Sequence, residues 1–74
     1  MTYVLIDDCI SKAASVWDTK FQTRDEALKY AEAEWKALPD HDKARRDAYY
    51  VATCSLDEDG EVDWETVEPI KEFK

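Results

Sequence analysis

The chain of 74 residues is poor in most of what specialised chemistry requires. It has one glycine, Gly60, so no glycine-rich loop can cradle a phosphate. It has one histidine, His41, so a zinc site would need both thiols and a carboxylate together. Two cysteines, Cys9 and Cys54, are too few for a disulfide scaffold. A single Cys9–Cys54 bridge stays open if their strands are neighbours. No apolar run approaches the roughly 18 residues of a membrane span. The opening Met-Thr-Tyr-Val-Leu-Ile-Asp-Asp lacks the basic start and apolar stretch of a secretory signal. The expected location is therefore the cytoplasm, with both thiols reduced. Positive charge is scarce as well. Ten Lys and Arg stand against 18 Asp and Glu, a formal charge of −8, which argues against direct nucleic-acid binding.

What is present indicates a folded domain. Apolar residues make up 45% of the chain, with three Trp, four Tyr and two Phe, whereas disorder goes with few aromatics. The length leaves room for one domain, residues 1–74. Walls for a deep catalytic pocket are hard to house at this size. The composition points away from an enzyme and from any cofactor.

Residues 2–9, with Tyr3-Val4-Leu5-Ile6, read as a strand, and Ile10 to Ser15 as a polar connection. Val16 to Phe21 alternates, with Trp17, Thr19 and Phe21 on one side of a second strand. Thr23-Arg24-Asp25-Glu26 is a capping box opening a helix from about Arg24 to Leu38. Ala27, Leu28, Ala31, Trp35 and Leu38 share its core stripe, and Pro39 ends it. Asp40 is placed to cap a short helix over Asp42 to Asp47. Ala48 to Leu56 is the longest expected strand, with Tyr50, Ala52, Cys54 and Leu56 on one face. Asp57 to Gly60 is a turn. Glu61 to Val67 alternates again as a fourth strand, and Ile70 and Phe73 offer apolar anchors for a tail. The expected fold is α+β. It is a two-layer sandwich of order β-β-α-α-β-β, with an antiparallel sheet and its helices on one face.

Charge is the most informative pattern. From Asp57 to Glu68 there are seven acids and no base. If Glu61 to Val67 is a strand, Glu61, Asp63 and Glu65 form an anionic stripe opposite Val62 and Trp64. With Asp57 and Asp59 this stripe is the candidate binding surface. Tyr49, of opposite parity to Tyr50, is the candidate aromatic contact beside it. Alignment of Gly60 with the sixth position of an EF-hand loop places Asp57 and Asp59 among the ligands. Ser55 and Thr66 then fall where the first carboxylate and the bidentate Glu belong, so no metal site is assigned. His41, between Asp40 and Asp42, has no nucleophile placed to partner it.

The stretch Glu34 to Arg46, Glu-Trp-Lys-Ala-Leu-Pro-Asp-His-Asp-Lys-Ala-Arg-Arg, runs into Tyr49-Tyr50-Val51-Ala52 and on to Leu-Asp-Glu-Asp-Gly. It resembles small uncharacterised acidic proteins of Gram-positive bacteria and their mobile elements, over residues 23–60. That resemblance implies no activity and carries over no functional residue. The expected role is a non-enzymatic protein-binding or accessory module whose partner is a protein with a basic surface. The alternative is a nucleic-acid mimic that inhibits a host or phage DNA-processing enzyme.

Overall fold

In the computed structural model the described residues are 1–9 and 15–74, with the backbone alone at 15 and 17–19. Residues 10–14 of the expected connection over Ile10–Ser15, and the side chains of Trp17 and Thr19, lie outside that description, and Ser15 belongs to the second strand. Strands β1 (Thr2–Cys9) and β2 (Ser15–Phe21) precede helices α1 (Arg24–Ala37) and α2 (Asp40–Ala44). Strand β3 (Arg46–Cys54), a 3-10 turn over Trp64–Thr66 and strand β4 (Glu68–Glu72) follow. The sheet is antiparallel throughout, in the order β2-β1-β3-β4. The α+β class is as expected, with the helices on one sheet face.

The two central strands have both faces covered, so Tyr3-Val4-Leu5-Ile6 needs no polar alternation. On the helix face, Leu5, Phe21, Tyr49 and Val51 pack with Ala27 and Ala31 of α1. Two alanines at the contact let the helix sit close to the sheet, and Leu28, Trp35 and Leu38 close over the flank. Aromatic rings complete this layer. Trp35 lies 4.9 Å from Tyr49, whose ring meets Phe73 edge-on at 6.1 Å. On the opposite face, Val4, Ile6, Ala52 and Cys54 form a second cluster with Val16, Tyr50, Val62 and Val67.

Helix α1 begins with half of the expected capping box: the Thr23 hydroxyl accepts from the Glu26 N–H at 3.3 Å. Pro39 ends it, then serves itself as the N-cap of α2, so Asp40 is the first residue of α2 and not its cap. Helix α2 runs Asp40–Ala44 where Asp42–Asp47 was expected, because Arg46 is drawn into β3. Its guanidinium Nε donates to Asp7 Oδ2 at 3.1 Å, and its Nη1 donates to the Asp42 carbonyl at 2.7 Å. Both partners of this ion pair are largely buried. The pair ties the end of β1 to the end of α2.

The fourth strand departs from the sequence expectation. Glu61–Val67 is not a strand; β4 is Glu68–Glu72, through Pro69. Apolar residues at 62, 64 and 67 suggested alternation, but Val62 and Val67 cover the second sheet face instead. Pro69 is tolerated because β4 is an edge strand, where the register shifts between Val51 and Ala52. The cysteines occupy opposite ends of the central pair. Cys54 faces Thr2, and Cys9 faces Arg46. Seven residues of β1 separate those positions, about 23 Å of strand, which excludes the disulfide left open above.

Candidate acidic surface

The seven acids sit on a segment that folds back across the sheet face opposite α1. Its base is a closed set of hydrogen bonds. The Ser55 N–H donates to the Thr66 hydroxyl at 2.8 Å, and that hydroxyl donates to the Asp63 carbonyl at 2.7 Å. The Asp63 N–H donates to the Ser55 carbonyl at 3.0 Å. An isolated bridge pairs Leu56 with Val62. Beyond it the chain reverses: the Asp57 N–H donates to Glu61, and the Gly60 N–H to the Asp57 carbonyl. Gly60, at φ 81°, takes the left-handed conformation that glycine adopts without strain.

Two of the acids hold this fold together. Asp57 Oδ1 accepts from the N–H groups of Asp59 and Glu61, at 2.9 and 3.0 Å. Asp63 Oδ1 accepts from the Glu65 N–H at 3.1 Å and caps the 3-10 turn. Their carboxylates orient the backbone of the segment. The carboxylates of Glu58, Asp59, Glu61, Glu65 and Glu68 are exposed and make no hydrogen bond or ion pair among the described residues. They are the part of the surface open to contact.

The expected stripe is therefore redistributed. Glu61 closes the tight turn, Asp63 is a cap, and Glu65 rides the 3-10 turn, so no strand periodicity aligns them. The acids still share one ordered segment, because Val62 and Val67 anchor it on the sheet.

Tyr49 is corrected more sharply. It is 0% exposed and belongs to the helix face, against Trp35 and Phe73, on the other side of the sheet from the acids. The parity argument was sound, but the strand has no solvent face: its odd positions meet α1 and its even positions meet the acidic segment. Burial first, and then the Glu34 carboxylate, push the Tyr49 hydroxyl from 10.0 up to about 12.

The aromatic that does reach solvent is Trp64, 50% exposed between Asp63 and Glu65. Sequence periodicity placed it with Val62 on the strand face opposite Glu61, Asp63 and Glu65. Its flanking acids were the available signal for a surface position. Among the described residues no group of three or more His, Cys, Asp or Glu is arranged to hold a metal ion. His41 is exposed at the start of α2, 3.6 Å from Asp42 Oδ1. Among the described residues no helix is long and apolar enough to cross a membrane. Comparison with protein-family models, curated proteins and solved structures finds no match.

Proposed function

We propose that this chain is a non-enzymatic, cytoplasmic binding module that docks the acidic segment 57–68 on a basic surface of a partner protein. The observation that carries this reading is Trp64, half exposed at the centre of a segment with seven acids and no base. Trp is enriched among the few residues that dominate binding energy. The carboxylates around it steer a basic partner and select against an acidic one. The internal hydrogen bonds of the segment fix the backbone that carries those groups, so less ordering entropy opposes association.

The reading is tested by affinity capture from the native host with three baits. These are the natural chain, Trp64→Ala, and a variant with Glu58, Asp59, Glu61 and Glu65 changed to Gln or Asn. A basic protein retained by the natural chain, released by salt and lost with either variant is the expected result. The same proteins on all three baits would sink it. Duplex DNA that displaces the captured protein would identify the contact as mimicry of a phosphate backbone, the second reading of the same carboxylates.

A further inference from the structure

Among the described residues the outer edge of β4 has no strand beside it. Between that edge and α1 runs a groove of about 620 Å³, within the size range of sites that take small ligands. Its floor is apolar: Leu28 and Trp35 from α1, and Phe73 just past β4. None of the three is fully buried.

The backbone at this edge is presented outward. The Phe73 N–H donates to the Tyr49 carbonyl at 2.8 Å, which makes Tyr49 and Phe73 a hydrogen-bonded pair. Pairs alternate along an antiparallel ladder, and Tyr50 opposite Glu72 is the next one. The N–H and C=O of Glu72 therefore turn away from β3.

The charge of the groove contrasts with that of the molecule. Arg24, Lys36 and Lys71 line it with Glu32 and Glu72, on a chain of formal charge −8. Glu32 is occupied by Lys36 at 2.9 Å. The hydrogen bond to Lys36, and then its charge, hold the Glu32 carboxyl below its ordinary range, with a further pull from Lys71. Arg24 has no ion pair among the described residues, and the Lys71 ammonium has only the Phe73 ring, 5.9 Å away. Two cations are thus free to meet a carboxylate.

We propose that this groove takes an extended peptide segment of another protein, added beside β4 as a fifth strand, in which every second side chain faces the groove and these are apolar and acidic in turn. A strand presents side chains with a period of two. Groove-facing apolar side chains enter over Leu28, Trp35 and Phe73, groove-facing carboxylates between them reach Arg24 and Lys71, and the intervening side chains leave by the other face. Main-chain hydrogen bonds to Glu72 supply affinity and the groove supplies selection, as in other strand additions. The short length of β4 and Pro69 at its start keep the edge from pairing with any strand it meets. This site is separate from the acidic segment, on the opposite side of the sheet.

The probe is a fluorescein-labelled synthetic peptide with leucine and glutamate in turn at every second position and threonine between them. Its control is the same peptide with glutamine for glutamate. Anisotropy should show the glutamate peptide binding about tenfold more tightly at low salt, with the difference vanishing at high salt. Amide shifts in NMR spectra should map to Leu28, Trp35 and residues 70–73. N-methylation of alternate peptide amides should abolish binding, because the side chains stay while backbone donors go. Arg24→Glu with Lys71→Glu should remove the preference for glutamate. Neutralising Glu58, Asp59, Glu61 and Glu65 should leave the titration unchanged, which separates this site from the docking surface above. Equal affinity for both peptides, unaltered binding after N-methylation, or shifts confined to residues 57–68 would each overturn the proposal.

Discussion

At the scale of single residues, the Asp7–Arg46 pair is the most consequential contact, because both groups are largely withdrawn from water. Removing one partner strands a buried charge, so Arg46→Ala should destabilise the protein by about 3 kcal/mol. Replacing both, Asp7→Leu with Arg46→Met, should recover much of that loss, since a buried pair adds little over well-packed apolar groups. Urea denaturation of the two variants checks the difference. Tyr49 gives a pH dependence. Its hydroxyl titrates at 10.0 unfolded and about 12 folded. Below pH 10 the contribution of this group is fully present. As pH rises toward 12 the unfolded chain loses the proton first, and stability falls. The urea midpoint should therefore decline across that window, and Tyr49→Phe should flatten part of the decline. Neither effect was legible from sequence. Asp7 and Arg46 lie far apart in the chain, and only the pairing of β1 with β3 brings them together.

At the scale of elements, local signals succeeded where one element decides its own structure. Thr23 and Glu26 open α1, Pro39 closes it, and the β-branched and aromatic run before Cys54 is a strand. They failed where two elements compete for the same apolar residues. Val62, Trp64 and Val67 satisfy a period of two almost as well as they satisfy a loop laid across a sheet. Spacing alone does not separate these. Asp63 capping its own 3-10 turn, and Thr66 bonding back to Ser55, decide for the loop. The candidate surface was therefore found in composition but not in geometry. The acids identified the segment, while Tyr49, read as the aromatic contact beside it, is buried on the other sheet face and Trp64 is the aromatic that reaches solvent.

At the scale of the molecule, charge and packing oppose one another. Seven acids with no base lie over one face of a plate whose extents are 37 × 27 × 17 Å. Their mutual repulsion destabilises the compact state at low ionic strength. Added sodium chloride should raise the thermal midpoint by a few degrees, a shift of about 4–8 °C for each kcal/mol regained in a domain of this size. Neutralising Glu58, Asp59, Glu61 and Glu65 should raise it without salt and blunt the response to salt. Differential scanning calorimetry over a salt series reads both. The sequence arithmetic anticipated the size of this field, and the fold shows that it is concentrated on one side.

The central pairing of β1 with β3 also governs how the chain reaches this state. Partners in that pair stand roughly 40 to 50 residues apart in sequence. The β1–β2 hairpin and α1 can form from neighbours, but the strand at the middle of the sheet waits for a distant one to arrive. Closing so long a loop carries an entropic barrier before any contact offsets it. Folding then belongs with slow, non-local topologies, in milliseconds or longer, although a third of the chain is helix or nearby hairpin that could form in microseconds.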